Sequence, residues 1–181
     1  MNVVLVGFMG TGKTQVARAL AKALEMKYIS TDEVIEDRER RSINDIFKKN
    51  GEPYFRRLEK EVVKKVAQLN KFIIDAGGGV VLDQENIADL RKNGKIICLA
   101  ATPEVILERT KRYHHRPLLN VADPKAKVEQ LLADRAPFYA LADHTVDTTN
   151  LTIDQVVDEV KKNIDVNAAE QEQNSQDNHS G

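Results

Sequence analysis

The sequence predicts an α/β protein in three layers, a five-stranded parallel sheet covered by helices on both faces. Short apolar runs alternate with amphipathic stretches of helical period, which is the pattern of strands joined by crossover helices. The stretches also carry helix punctuation in the right places, with capping residues or proline at their starts. The first strand, Val3 to Gly7, runs directly into Gly7-Phe8-Met9-Gly10-Thr11-Gly12-Lys13-Thr14. A helix follows from Thr14 to Leu24, with Val16, Ala19, Leu20, Ala23 and Leu24 on one face. The second strand is Lys27 to Ser30, after which Asp32 begins or immediately precedes a helix through Asp37. Pro53 opens a helix over Tyr54 to Leu69, and Phe72 to Asp75 is the third strand. Asp83 caps a stretch to Lys92, with Gly94 just past its end, and Lys95 to Ala100 is the fourth strand. Pro103 opens a segment through Lys111, His144 to Asp147 is a weaker fifth strand, and Thr152 caps Ile153 to Ile164.

The run Gly7 to Thr14 fits the G-x-x-x-x-G-K-[ST] phosphate-binding loop. Its glycines let several backbone N–H groups face one concavity, and the following helix adds the partial positive charge of its N-terminus. Gly10, Thr11, Gly12, Lys13, Thr14 and Gln15 are therefore assigned to a nucleotide's phosphates. Lys13 reaches the β- and γ-phosphates, and the Thr14 hydroxyl ligates Mg²⁺.

At 181 residues the chain is long enough for one domain with a substantial core, expected over residues 1–165. The tail, 166–181, lacks large apolar groups and is expected to be disordered. With 27 basic and 28 acidic residues the net charge is −1, so no nucleic-acid or anionic-membrane partner is indicated. The N-terminus reads as a strand instead of a signal peptide, and no apolar run is long enough to span a bilayer, so a cytoplasmic location is expected. The single cysteine, Cys98, lies in the apolar run Ile96 to Ala100 and packs as a small hydrophobe.

Open parallel sheets bind ligands at the carboxyl ends of their strands. Besides the phosphate loop, that rule selects Ser30-Thr31-Asp32-Glu33 and Asp75-Ala76-Gly77-Gly78-Gly79. Asp32 either caps a helix or binds and deprotonates a hydroxyl acceptor, and its place beside a phosphate site favours the second. Gly77, Gly78 and Gly79 let a small ligand approach the backbone closely. Asp75 ends an apolar run, as does the acidic residue that supports Mg²⁺ through water in many phosphate-loop enzymes; turn formation is the alternative. Arg56, Arg109, Arg116 and Arg135 are candidates for anionic groups, and periodicity alone does not choose among them.

Five segments in order resemble the shikimate kinase family: Gly7 to Thr14, Asp32 to Glu36, Gly51-Glu52-Pro53-Tyr54-Phe55-Arg56-Arg57-Leu58-Glu59, Gly77 to Gly79, and Arg116-Pro117-Leu118-Leu119 followed by Arg135-Ala136-Pro137-Phe138-Tyr139. The resemblance covers about Met1 to Ile164. It implies a nucleoside-monophosphate-kinase-like P-loop fold with a mobile lid over about 110–123. The implied activity is ATP-dependent phosphorylation of the 3-hydroxyl of shikimate, a step of aromatic amino acid biosynthesis. It implies that Asp32, Arg56, Gly78 and Arg135 hold shikimate, that Arg109 packs on adenine, and that Arg116 on the lid reaches the ATP phosphates. On this reading Lys13, Asp32 and Arg116 are catalytic, Mg²⁺ accompanies ATP, and the protein acts as a monomer.

Two places depart from the family: the triple glycine, usually preceded by Ala-Thr, here follows Asp75-Ala76, and the segment after the second strand differs. Relatives usually carry Asp-x-Asp after the second strand, whereas this chain has Ser30-Thr31-Asp32. A serine hydroxyl is a weaker, neutral ligand for a hard cation. Asp75 is the expected substitute, acting on Mg²⁺ through water. Three other readings stay open at this stage, one of them a catalytically weak nucleotide-binding relative, suggested only by Ser30. A kinase of another small hydroxy-acid, such as gluconate, would use the same loop. A guanine-nucleotide switch would use Asp75-Ala76-Gly77-Gly78, but the base-reading Asn-Lys-x-Asp element is missing from the chain.

Overall fold

The computed structural model describes residues 1–111 and 121–164. Its elements are β1 (Asn2–Val6), α1 (Lys13–Ala23), β2 (Lys27–Ser30), α2 (Thr31–Glu39), α3 (Ile43–Asn50), α4 (Glu52–Val66), β3 (Phe72–Asp75), a 3₁₀ turn (Val80–Leu82), α5 (Gln84–Lys92), β4 (Gly94–Ala100), α6 (Pro103–Thr110), α7 (Pro124–Tyr139) and β5 (His144–Asp147). A last helix, α8, covers 153–164. The strands form one all-parallel sheet in the order β2-β3-β1-β4-β5.

Alternation along the central strands explains the three layers. Val3 and Leu5 of β1, Ile73 of β3, and Ile97 and Leu99 of β4 pack against Val16 and Leu20 of α1 and Val156, Val157 and Val160 of α8. Val4 and Val6, Ile74, Ile96 and Cys98 face the other way, toward Leu58, Val62 and Val63 of α4 and Ile87 and Leu90 of α5. A strand buried on both faces must be apolar at successive positions, which is why β1 reads as an uninterrupted run. Burying each such side chain contributes roughly 1.5–3 kcal/mol relative to exposure. Asn2 pins the start of β1: its side chain donates to Leu69 O at 2.7 Å and accepts from Phe72 N at 3.0 Å. Cys98 is buried, and burial pushes its thiol up to about 11, away from nucleophilic chemistry.

The five expected strands are all present, with ends shifted by a residue or so at β1 and β4. The helix expected from Tyr54 starts earlier, at Glu52, because Gly51 serves as its N-cap and Pro53 occupies the first turn. At α2 the cap is Ser30, whose hydroxyl accepts from Glu33 N at 3.3 Å, and Asp32 lies inside the first turn. Sequence reasoning missed α3 and α7. The first is a short helix capped by Ser42, and it packs Phe47 on Phe55 of α4 with ring centroids 4.8 Å apart. The second is capped by Asp123 and tolerates Pro137 near its end, where few later residues need a partner. Most of the expected lid (110–123) and the whole tail (166–181) lie outside the described residues, as do Arg116, His114 and His115.

Candidate active site

A cleft of about 920 Å³ opens at the carboxyl ends of the strands. It is lined by the loop Met9–Val16, by Ser30 and Asp32, by Arg56 and Glu59, by Asp75 to Gly79, and by Arg109, Arg135 and Thr148. Every described member of the expected site set therefore lies in one cleft. Positioning follows from topology: β3 lies between β2 and β1, so the segments that leave the three strands are brought together.

The phosphate loop is held together by hydrogen bonds of its own. Gly12 occupies the N-cap of α1 at φ 89° and ψ 12°, a left-handed conformation that favours glycine and turns the following N–H groups inward. Thr11 is buried and its hydroxyl donates to Phe8 O at 2.8 Å. Lys13 Nζ donates to Gly7 O at 2.8 Å and to Phe8 O at 3.1 Å, so the ammonium lies over the loop. Thr14 Oγ1 donates to Asp75 Oδ2 at 2.6 Å, joining the loop to the end of β3.

Around Gly77 to Gly79 the spacing is tight. Gly77 N donates to the Oγ1 of the buried Thr31 at 2.9 Å, which ties the glycine segment to the start of α2. A Cβ on Gly77 would come 2.5 Å from Asp32 Oδ1, and one on Gly79 would collide with the Arg56 guanidinium. Gly78 O accepts from Tyr139 Oη at 3.0 Å and from Arg135 Nη1 at 3.4 Å. Arg135 also lies over the Phe8 ring, 5.4 Å from its centroid, which draws α7 onto the phosphate loop. Burial pushes the Tyr139 phenol up to about 12, so it stays a donor.

Arg56 is held from two sides. Glu52 Oε1 accepts from its Nε at 3.1 Å and its Nη2 at 3.0 Å, while Glu59 Oε2 accepts from Nη1 at 2.7 Å. Glu59 is buried, and burial raises its carboxyl to about 7; Arg56 pulls it down, and Asp32 pushes it further up. Thr31, Glu59 and Tyr139 stand within the quoted segments but were given no site role from sequence. A signal existed for two of them: Glu59 lies three residues after Arg56, and Tyr139 four after Arg135, so each shares a helix face with an assigned arginine.

At the far end of the cleft, Arg109 of α6 donates to Thr148 Oγ1 at 3.0 Å and to Thr148 O at 2.9 Å, with Gly10 O at 3.4 Å. The guanidinium plane is thereby fixed between the phosphate loop and the end of β5.

The donors fit a divalent cation bound together with phosphates. Mg²⁺ usually takes one or two protein oxygens and keeps waters; the Thr14 hydroxyl suits the first role, and the Asp75 carboxylate beside it suits a cation-bound water. No group of three or more His, Cys, Asp or Glu suited to a metal cage occurs among the described residues. Burial raises the Asp75 carboxyl, opposed by Lys13 and by the Thr14 hydroxyl.

An all-parallel sheet in this order, with a Gly-Lys-Thr loop at the carboxyl end of its central strand and an acceptor pocket beside it, defines a P-loop small-molecule kinase. A sequence model described as "Shikimate kinase" matches residues 9–165. The shikimate kinase of Thermoanaerobacter pseudethanolicus is 50% identical over 161 residues, spanning 89% of this chain and 94% of that protein. That of Caldanaerobacter subterraneus subsp. tengcongensis is 49% identical over 159 residues, spanning 88% and 93%. Among solved structures, shikimate kinase from Acinetobacter baumannii in complex with shikimate superposes with a TM-score of 0.87 at 34% identity, covering 92% of this chain and 93% of that one. The chain belongs to the shikimate kinase family.

Proposed function

We propose that the cleft transfers the γ-phosphoryl group of ATP to the 3-hydroxyl of shikimate, giving shikimate 3-phosphate and ADP, a step of aromatic amino acid biosynthesis. The observation that carries this reading is the convergence of Asp32, Arg56 and Arg135 on Gly77 to Gly79, directly beside the phosphate loop. Family membership supports it, as does the likeness to a solved relative described in complex with shikimate.

Gly10 to Gln15 cradle the phosphates, and Lys13 exchanges loop carbonyls for phosphate oxygens. Arg109, its plane fixed by Thr148, stacks on the adenine. Arg56 and Arg135 take the shikimate carboxylate, for which a guanidinium offers two parallel donors. Asp32 accepts the proton of the attacking hydroxyl while the γ-phosphorus passes from the β-γ bridging oxygen to the acceptor oxygen, so the charge lost by the acceptor's proton is balanced on one carboxylate. Mg²⁺, when bound with ATP, neutralises charge on the β- and γ-phosphates; Thr14 supplies a hydroxyl ligand.

The test is coupled ADP release with ATP, Mg²⁺ and a panel of hydroxy-acids. Release that requires shikimate and not gluconate is expected. A preparation that releases ADP only with gluconate, or with no acceptor in the panel, overturns the reading. Preference for GTP over ATP in nucleotide competition would instead indicate a switch.

A further inference from the structure

Ser30 and Asp75 are Cα partners on the same rung of the parallel ladder between β2 and β3. Rung partners present their side chains on the same face of a sheet, and neighbouring strands lie about 4.8 Å apart. The two residues are thus alternative places, one strand apart, from which a side chain enters the cleft near the phosphate loop. Ser30 has another task, since its hydroxyl caps α2 through Glu33 N. Asp75 is only 5% exposed, lines the cleft, and accepts the Thr14 hydroxyl proton through one oxygen. With that proton directed at Asp75, the lone pairs of Thr14 Oγ1 remain for a cation. Tyr28 faces the same carboxylate as a second side-chain donor, and a carboxylate, with about four acceptor sites, keeps capacity after two such bonds to hold a cation-bound water.

We propose that Asp75 is the outer-sphere carboxylate of the divalent-cation site, orienting the Thr14 hydroxyl and a cation-bound water from the end of β3, and that the same task can be moved one rung-mate across to position 30. The residues thus behave as an exchangeable pair: one site for a carboxylate, two strands that can supply it. This inference rests on the kinase reading for the cation's company, namely the nucleotide's phosphates, and not on which acceptor is phosphorylated.

The experiment measures Mn²⁺ binding to the full chain with ADP by electron paramagnetic resonance, with no acceptor present. Wild type is compared with Asp75→Asn, Asp75→Thr and the double variant Ser30→Asp/Asp75→Thr, alongside metal-free ADP affinity. Losing an outer-sphere partner typically weakens metal affinity roughly 10–100-fold. A loss of about that size in both Asp75 variants, with metal-free ADP affinity intact and most of the Mn²⁺ affinity regained in the double variant, is the expected result. Unchanged Mn²⁺ affinity in both single variants overturns the assignment. Parallel loss of metal-free ADP affinity makes Asp75 a structural support of the loop and also overturns it. A loss that Ser30→Asp leaves unrepaired overturns the exchange between rungs. Because shikimate is absent from this measurement, its outcome is independent of wild-type ADP release with shikimate, which tests the proposed function separately.

Discussion

Glu59, with a side chain only 2% exposed, accepts a hydrogen bond from Arg56 Nη1 at 2.7 Å. A carboxylate placed so deep is costly to ionise, and one close cation offsets only part of that cost. The arginine is thereby held at the mouth of the acceptor pocket by a partner that is itself near its titration midpoint at neutral pH.

Stability should carry the mark of this pair. Burial raises the Glu59 carboxyl from 4.5 to about 7 in the folded protein. Between those values the folded chain keeps a proton that the unfolded chain has released, so the group's contribution is present at low pH and lost as pH rises through that window. Glu59→Gln removes the dependence. Urea unfolding between about pH 5 and about pH 8 is expected to show the variant gaining on wild type as pH rises; a constant difference would contradict the raised value.

Arg56→Lys and Arg135→Lys keep the charge and lose the planar two-donor edge. Each should raise KM for shikimate by about tenfold or more, the equivalent of roughly 1.4 kcal/mol, with little change in KM for ATP. Steady-state kinetics with both substrates varied gives the answer. Wild-type KM for shikimate in both variants would remove the carboxylate from this place.

Alanine at Gly77 and at Gly79 should fail differently. A methyl group at Gly77 crowds Asp32 Oδ1, so kcat should fall, whereas one at Gly79 displaces the Arg56 guanidinium, so KM for shikimate should rise. Misplacing a catalytic group by about 1 Å costs on the order of a hundredfold in rate. Comparing kcat and KM for the two variants tests the assignment, and identical profiles would count against separate roles.

Ser30→Ala removes the α2 cap and should lower the unfolding free energy by about 1 kcal/mol, while Ser30→Gly should cost only a few tenths. Chemical denaturation separates the two. Equal losses would mean that the hydroxyl serves the fold by some other contact.

Strands β1, β3 and β4 were legible because each is an apolar run buried on one or both faces, and the motifs at the strand ends declared the cleft. Nothing in sequence placed Ser30 beside Asp75, since ladder register is a property of two strands and their packing. Helix α7 was missed because Pro137 breaks its pattern and its apolar residues Val128, Leu131 and Leu132 face α6 and Phe8 instead of the main sheet core. Glu59 reads as an ordinary charged helix residue until its burial is known; the sequence holds its spacing from Arg56 but not its solvation.

All five residues of β1 are buried, and its first side chain is clamped by two hydrogen bonds. A strand so enclosed has no slack to give to the loop it carries. The disorder that would otherwise be lost when a nucleotide docks has already been lost at folding, so ordering the loop need not be charged against ligand affinity.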